Sequence, residues 1–248
     1  FSINRNEVTK LYSESSAISG INGNETLTYT MVGEPVGQFY GYKVIGMFKE
    51  ESDFYKKDAD GNFQLDEAGN RIRIAIPKGQ QISKNGIWVG DYIYEDLHED
   101  GVIDEKDRTF LGNPAPKFTF GFNNYFAYKG FDLNIFLNGS VGNKAVNLIR
   151  RTFTDPMRNS NLLKEATDIA LIGMHDPEVG DEELSNVYIV NADRAKVQRV
   201  TTSSANDNNR ISSRFIEDAS YLRIKNISLG YTFPRKWLRH LQIDNIRL

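Results

Sequence analysis

The sequence predicts a mainly β protein with long antiparallel strands. Apolar and polar residues alternate along 117–128, 131–141 and 221–233, and a period of two places each set on one face of a strand. The first two runs are separated only by Lys129-Gly130, whereas the other connections are very long. Short and long connections that alternate in this way are typical of an outer-membrane barrel, with long loops outside. We therefore predict an antiparallel transmembrane β-barrel segment with large mixed extracellular loops.

The hairpin over 117–141 presents one apolar face and one face of Asn, Asp, Ser and Gly. Such a pattern suits a membrane barrel, whose outside meets lipid, and it also suits an antiparallel sheet that covers a core. Both alternatives stay open at this point. The apolar set is Phe118, Phe120, Phe122, Phe126, Tyr128, Phe131, Leu133, Ile135, Leu137 and Val141.

The third alternating run changes phase in the middle. Ile227 and Leu229 share one parity, but upstream the apolar residues are Leu222 and Ile224. A change of phase within one strand predicts a β-bulge or a change of environment. After a connection of about ten residues, Ile246–Leu248 is predicted to begin another strand.

The alternating runs divide the chain into five parts. We predict a barrel strand end over 1–10, an extracellular loop subdomain with an acidic Asp-Gly loop over 11–116, and a barrel hairpin over 117–141. A second extracellular loop with a short helix follows over 142–218, and barrel strands with a periplasmic turn occupy 219–248. Both ends of the sequence interrupt strand patterns, so we expect a piece of a longer protein.

The two loops carry secondary-structure signals of their own. Segments 38–48 and 87–94 have strand character, and the apolar spacing in 161–172 predicts a helix. Loops of this length without structure would be unusual. We therefore expect an ordered, mixed subdomain.

Composition excludes some functions. The chain has 248 residues, a net charge of −3 and no cysteine. A scattered set of basic residues with a net negative charge argues against nucleic-acid binding, and the absence of cysteine excludes disulfides and Cys-ligated zinc. No run approaches the roughly 18 apolar residues of a membrane helix. The mean hydropathy is typical of a soluble protein, but the alternating strands of a membrane barrel average to a similar value.

The acidic loop over 96–107 matches a twelve-residue calcium loop. Oxygen donors fall at positions 1, 5, 9 and 12 of the loop, and a backbone carbonyl is available at position 7. Gly101 stands at the sharp turn. His98 stands where Asp or Asn would donate oxygen, and the last acidic residue is an Asp in place of the usual Glu. An acidic turn whose carboxylates cap backbone amides is the alternative. The candidate Ca²⁺ ligands are Asp96, Asp100, the Val102 carbonyl, Asp104 and Asp107.

Other motifs indicate structure more than chemistry. The strings DADGN over 58–62 and DEAGN over 66–70 predict hairpin turns, since Asp-Gly and Gly-Asn pairs tolerate positive φ. The histidines are His98, His175 and His240, and no local motif joins them to a metal site or a catalytic triad. We find no catalytic constellation and predict a protein that is not an enzyme.

Aromatic residues crowd the first long loop. They either pack a small core within that loop or form a surface for sugar rings or for a partner protein. The residues predicted to face a partner or substrate are Phe39, Tyr40, Tyr42 and Trp88.

Three strings carry a family resemblance: GEPVGQFYGYKVIGMFK over 33–49, the block from GDYIYEDLHEDGVIDEKDR to FLNGSVGN over 90–143, and SRFIEDASYLRIKNISLGYTFP over 213–234. Together they resemble SusC/RagA-type TonB-linked outer-membrane transporters of Bacteroidetes. The match is weakest over 155–209. At His98 and Glu99 the family pattern has Asn and Gly, so this loop departs from it at two positions.

The resemblance implies a plugged barrel of roughly 22 strands in the bacterial cell outer membrane, in contact with outer-membrane lipid. Such a transporter imports oligosaccharides or peptides with a SusD-like lipoprotein as its lid. Energy comes from the TonB complex through a plug that this sequence lacks. The rival reading is a soluble, secreted, calcium-stabilised, β-rich glycan-binding module. A secreted glycosidase is a third class, and nothing in the sequence requires it.

Overall fold

The computed structural model describes residues 1–13 and 17–248, and the fold is mainly β. The α-helices of the described residues are short, α1 (Leu148–Phe153) and α2 (Arg235–Leu238). Single 3₁₀ turns occur at Glu51–Phe54, Glu105–Asp107, Lys164–Asp168, Leu184–Asn186, Ser213–Phe215 and Arg239–Leu241. The strands are β1 (Ser2–Ile3), β2 (Ile18–Asn22), β3 (Glu25–Thr30), β4 (Gln38–Tyr42), β5 (Val44–Met47), β6 (Ile76–Pro77), β7 (Tyr92–Tyr94), β8 (Val102–Ile103), β9 (Arg108–Gly112), β10 (Phe118–Tyr128), β11 (Phe131–Val141), β12 (Lys144–Val146), β13 (Ile172–Met174), β14 (Val187–Ile189), β15 (Ile216–Asp218) and β16 (Tyr221–Tyr231).

The longest strands form one antiparallel sheet in the order β1-β10-β11-β16. The β10–β11 pair is continuous from Phe118 opposite Val141 to Tyr128 opposite Phe131. Lys129 and Gly130 form the turn with φ of 47° and 90°, and two positive φ values suit the twist of a tight hairpin. The predicted hairpin is therefore confirmed.

A β-bulge in β16 corrects the change of phase seen in the sequence. Lys225 is an extra residue opposite the step from Phe136 to Leu137 in β11. Because a bulge shifts the alternation by one, Ile224 and Ile227 lie on the same face despite their odd separation. The apolar face of the sheet thus runs along all three long strands, with Asn124 of β10, opposite Ile135, as a polar exception.

Both long connections leave the sheet at the same end. The first connection, residues 4–117, joins Ile3 to Phe118, and these two residues are paired neighbours in the sheet. The second connection, residues 142–220, leaves β11 after Val141 and returns at Tyr221, which is paired with Ser140. The opposite end carries the tight Lys129-Gly130 turn.

The connections fold into small sheets around a shared core. The sheets have the orders β2-β3-β4-β9, β5-β7, β6-β8, β12-β15 and β13-β14, and only β6-β8 is parallel. The strand character predicted over 38–48 is confirmed by β4 and β5, and that over 87–94 only by β7. The buried core consists of Met47, Phe48, Phe54, Ala75, Ile87, Trp88, Val89, Tyr92, Ile93, Tyr94, Ile103, Ala170, Val187 and Ile189.

The helix predicted over 161–172 is wrong. Only the turn Lys164–Asp168 is helical there. The following backbone instead bonds to a distant segment: the Ala170 amide donates to the Val197 carbonyl at 2.8 Å and the Lys196 amide to the Asp168 carbonyl at 2.9 Å. These tertiary bonds replace the helical ones, and the short helix of this connection is α1.

Residues 55–73 form a small arm of three extended pieces that bond to one another in a ring. The amides of Lys56, Ile72 and Gln64 donate in turn to the carbonyls of Ile72, Gln64 and Lys56, at 2.8–2.9 Å. The two turns of the arm are held by Asp58 and Asp66, whose carboxylates accept backbone N–H bonds. The turn interpretation of both acidic strings is confirmed.

The last residues extend the long sheet. The Leu248 amide donates to the Tyr231 carbonyl at 3.1 Å, and the Phe233 amide donates to the Ile246 carbonyl at 3.0 Å. This pairing agrees with the strand beginning predicted over 246–248. Among the described residues, no helix has the length and apolar content needed to cross a membrane.

Candidate binding surface of the two long connections

A buried ion pair fastens the second connection to the first. Asp91 and Arg199 are 1 % and 4 % exposed, and the Arg199 Nε donates to Asp91 Oδ1 at 2.9 Å while Nη2 donates to Oδ2 at 3.1 Å. The same guanidinium donates to the carbonyls of Lys84 and Gly86, each at 2.9 Å. A buried charge pair is stable only when its remaining hydrogen-bonding groups are satisfied, and here the guanidinium has four acceptor contacts.

Two buried asparagines complete this network. The Asn208 Nδ2 donates to Asp91 Oδ1 at 2.9 Å, and its Oδ1 accepts from the Tyr92 amide at 3.0 Å. The Asn206 Nδ2 donates to the Tyr92 carbonyl at 2.9 Å. These two side chains form hydrogen bonds with the backbone of Tyr92 in β7, as a neighbouring strand would. The connections are therefore joined by hydrogen bonds as well as by apolar packing.

Tyrosine hydroxyls add further bonds between the connections. The Tyr92 hydroxyl donates to the Lys196 carbonyl at 2.8 Å and accepts from the Gln198 amide at 3.1 Å. The Tyr94 hydroxyl donates to the Asp207 carbonyl at 3.1 Å. Burial raises the pKa of both phenols well above their ordinary value, so they remain neutral donors at physiological pH.

Close backbone approach requires glycine beside the ion pair. Gly90 has a φ of 95°, and a Cβ built there would lie 2.7 Å from the Cβ of Arg199. No local motif predicts this network, because its two halves lie in different connections, more than a hundred residues apart. The Asn-rich string over 205–209 is its one signal in the sequence.

An arginine–carboxylate cluster supports the second connection. The Arg150 guanidinium donates to both carboxylate oxygens of Glu165, at 2.7 and 2.5 Å, and to the Arg214 carbonyl at 2.7 Å. This pairing lowers the pKa of the Glu165 carboxyl. Arg214 donates to the Thr154 hydroxyl at 3.1 Å, and burial lowers the pKa of its guanidinium. Glu165 neutralises Arg150, and Arg214 is tied to the same segment through Thr154, so this cluster holds structure together.

The acidic loop uses its carboxylates on its own backbone. Asp96 accepts from the Gly101 amide at 3.0 Å, Asp100 from the Val102 amide at 3.1 Å, and Asp104 from the Lys106 amide at 2.8 Å. Gly101 has a φ of 82°, which agrees with the predicted sharp turn.

Asp107 is the buried anchor of this loop, at 1 % exposure. Its carboxylate accepts from the Leu97 amide at 2.9 Å and from the Asp104 amide at 2.8 Å, which forms a capping box with the turn at Glu105–Asp107. His98 Nδ1 lies 3.6 Å from the same carboxylate. These bonds are those of the capping alternative.

Calcium binding by this loop remains a prediction. Within residues 1–13 and 17–248, no group of three or more His, Asp or Glu side chains is arranged to hold a metal. One feature favours a cation: Asp96 Oδ1 is buried and has no hydrogen-bond partner. A buried anionic oxygen without a partner is costly unless a cation or water meets it.

The four aromatic residues predicted to face a partner lie in two different environments, two of them buried and two half-buried. Phe39 and Trp88 are 6 % and 2 % exposed, so they pack inside the connections and offer no contact surface, in contrast to the prediction. Tyr40 and Tyr42 are half-buried. Tyr40 stacks on Tyr29 with a centroid distance of 4.6 Å, and the Arg210 guanidinium lies 4.6 Å above the ring of Tyr42.

No protein-family model matches the chain. The TonB-dependent receptor P3 of Formosa agariphila is 28 % identical over 252 residues, which cover 100 % of this chain and 20 % of the relative. The TonB-dependent receptor SusC of Bacteroides thetaiotaomicron is 23 % identical over 195 residues, 76 % of this chain and 17 % of the relative. The chain thus spans about a fifth of the length of these relatives.

A solved structure of the RagAB peptide transporter has a similar fold. It superimposes with a TM-score of 0.60 and 19 % identity, over 99 % of this chain and 21 % of the other. At this identity the likeness concerns the fold. Together with the sequence relatives, it confirms that the chain resembles the TonB-dependent receptors of the SusC/RagA type. The relatives are named as receptors and transporters, not as enzymes.

Proposed function

We propose that this chain, which resembles SusC/RagA-type TonB-dependent receptors, is a segment of an outer-membrane transporter. The whole protein would import oligosaccharides or peptides together with a SusD-like surface lipoprotein, in the bacterial cell outer membrane. Energy from the TonB complex would arrive through a plug that lies outside this chain. The chain itself would bind and gate, without bond chemistry.

The apolar face of the long sheet is the observation that carries this proposal. Its side chains include Phe122, Ile224, Ile227 and Leu229, which are 55–69 % exposed. The buried core lies in the connections, so this face covers no core of the described chain. Exposed apolar surface of this size marks contact with a membrane or another protein. Strands that alternate apolar-out and polar-in are the pattern of a membrane barrel.

Site-directed labelling tests the proposal. The chain has no cysteine, so single Cys residues can be placed at Ile135 or Leu229 on the apolar face and at Asn134 or Ser228 on the polar face. In the full-length protein in outer membranes, we expect lipid-soluble reagents to label the first pair. Water-soluble reagents should label the second pair. Apolar-face positions that react with water-soluble reagents, or a protein found only in the soluble fraction, would favour the secreted glycan-binding module.

The two connections would form the surface that meets the lipoprotein and the substrate. They leave the same end of the sheet, and the opposite end carries a tight turn. In a barrel of this kind the long segments lie outside the cell, where substrate arrives. Tyr40 and Tyr42 retain partly accessible rings, and accessible Tyr side chains often carry interface energy.

A co-purification experiment tests the partner. Replacing Tyr40 and Tyr42 by Ala in the full-length protein should lower the yield of bound lipoprotein. Both rings also pack against neighbours, so the matched control is replacement of Tyr55, which packs against the core from the separate arm over 55–73 and should lower the melting temperature without lowering the yield. An unchanged yield after replacement of Tyr40 and Tyr42 would remove the partner assignment from these residues, and an equal fall in yield for the Tyr55 variant would assign them to packing.

The acidic loop over 96–107 is proposed to bind Ca²⁺ from the external medium. The proposal is supported by the unpartnered Asp96 Oδ1 and by the spacing of Asp100, Asp104 and Asp107. Millimolar external calcium suits loops of weak affinity, since extracellular calcium modules have dissociation constants of about 10⁻⁴–10⁻³ M.

A further inference from the structure

A cavity of about 480 Å³ opens where the long sheet meets the first connection. Its walls include the end of β1, the start of β10 and the segments around Pro35 and Asn113. This is the end of the sheet from which both connections leave. The cavity is therefore at the boundary between the apolar strands and the connections.

One wall of the cavity belongs to the apolar face. Ile3 is paired with Phe118 in the sheet, so both side chains lie on the face that carries Phe120 and Phe122. The ring of Phe1 lies 5.3 Å from that of Phe118. An apolar chain that runs along the sheet would therefore enter the cavity without crossing a polar barrier.

The other wall is basic and rich in amides. Arg5 and Lys117 line the cavity, as do Asn4, Asn6 and Asn113, and no Asp or Glu of the described part of the chain does. Among the described residues, neither Arg5 nor Lys117 has a carboxylate within ion-pair distance, although the chain as a whole is acidic. Two cations without counter-ions beside amide donors favour an anionic group with several oxygens, such as a phosphate.

The basic wall is ordered by backbone bonds, so the cavity is preformed. The Asn6 side chain accepts from the Val36 amide at 2.9 Å, and the Val8 amide donates to the Glu34 carbonyl at 3.0 Å. On the other side, the Asn113 side chain accepts from the Ala115 amide at 2.8 Å. Preorganised walls lower the entropy cost of binding.

We propose that this cavity binds the phosphorylated head group of a glycolipid in the outer leaflet, with the acyl chains lying along the apolar face. The inference rests on the proposed membrane location, because that location places the cavity at the outer surface of the bilayer. A head group with phosphate above and acyl chains below matches a cavity that is basic on one side and apolar on the other. Basic pockets at the membrane boundary bind anionic head groups in the same way.

Native mass spectrometry of the full-length protein in mild detergent tests the inference. The probes are diphosphorylated lipid A, its dephosphorylated form, a zwitterionic phospholipid and inorganic phosphate. The variant is R5A/K117A, and the matched control is R73A/K78A, which removes two exposed basic residues of the first connection away from the cavity. We expect the variant to bind diphosphorylated lipid A at least tenfold more weakly, with the control unchanged.

The outcomes separate the two proposals. Equal binding of the dephosphorylated form by the wild-type protein, or equal lipid binding by variant and wild type, would overturn the glycolipid site. Displacement of the lipid by inorganic phosphate alone would assign the cavity to a free anion and also overturn it. In either case, insertion of the protein into the membrane in the labelling experiment would leave the transporter proposal standing.

Discussion

Arg247 reaches across Gly230 to form a bidentate ion pair with Asp132. Its Nη2 lies 2.5 Å from Asp132 Oδ2, and its Nε donates to Oδ1 at 3.1 Å. Gly230 is paired with Asp132 in the sheet, and a Cβ built on it would lie 2.6 Å from Arg247 Nη2 and 2.7 Å from Asp132 Oδ1. The pair thus links the last residues of the chain to β11 across β16, on the polar face of the sheet.

A side chain at position 230 should break this link. We expect Gly230→Ala to displace the guanidinium and to lower the free energy of unfolding by a small amount, as is usual for exposed ion pairs. Arg247→Ala should cost a similar amount, and the double variant should cost no more than either single one. Gly121→Ala in β10 is the control, because a Cβ there meets only the Phe136 ring at 3.5 Å. Additive losses in the double variant would show that the two residues act separately.

The buried Asp91–Arg199 pair should be far more sensitive. Asp91→Ala leaves the Arg199 guanidinium buried without its carboxylate, and removing one partner of a buried pair costs about 3–5 kcal/mol. Asp181→Ala is the matched control, since Asp181 pairs with Lys84 at 2.8 Å but both side chains are about 40 % exposed. That change should cost far less, because the pair is exposed to solvent. Equal chemical denaturation midpoints for the two variants would contradict this ranking.

The contrast between the long sheet and this ion pair explains what the sequence could predict. The hairpin β10–β11 can be predicted from the local alternation of apolar and polar residues. Even the bulge at Lys225 is visible in the sequence, as a change of phase in that alternation. Asp91 and Arg199 are 108 residues apart, and no period connects them. Trp88 is predicted to be accessible because the loop is rich in aromatic residues. That richness does not show which side of a small sheet each ring faces.

Acid should weaken the second connection through Glu165. The bonds from Arg150 lower the pKa of Glu165 below its ordinary value of 4.5, so the ionised carboxylate stabilises the folded state above the unfolded pKa. That contribution is lost as pH falls through the lower, folded pKa. Glu165→Gln should therefore cost about 1–2 kcal/mol at pH 7 and little once the pH lies below the folded pKa of Glu165.

Thermal unfolding of Glu165→Gln and wild type between pH 7 and pH 2.5 measures this dependence. The exposed Glu67→Gln is the control and should follow the wild-type curve. A difference between wild type and Glu165→Gln that stays constant down to pH 2.5 would show that the pair contributes packing and not charge.

Calcium should stabilise the acidic loop if the ion meets the unpartnered Asp96 oxygen. We expect millimolar Ca²⁺ to raise the melting temperature of the protein and to leave Asp100→Ala unaffected, since that carboxylate stands at a ligand position of the predicted loop. Asp60→Ala, in a turn of the arm, should respond like the wild type. Identical responses of all three proteins would leave backbone capping as the role of the loop.

Deleting Lys225 should be tolerated, although it shortens a long strand by one residue. Lys225 is the extra residue of the bulge, so its removal allows Asn226 to follow Ile224 in regular alternation and keeps every apolar side chain on its face. Deleting Ser228 has the opposite effect near the bulge, because it moves Ile227 to the polar face and Asn226 to the apolar face. Each variant lacks one residue, but only the Ser228 deletion moves side chains to the opposite face of the sheet.

Assembly of the full-length protein into outer membranes separates the two deletions. We expect near wild-type yield and heat resistance for the Lys225 deletion and a strong loss for the Ser228 deletion, because polar groups on a lipid-facing surface are costly. Lys225→Ala should match the wild type. An equal loss in both deletions would mean that the added twist of the bulge is itself required, and that continuity of the apolar face does not account for the position of the extra residue.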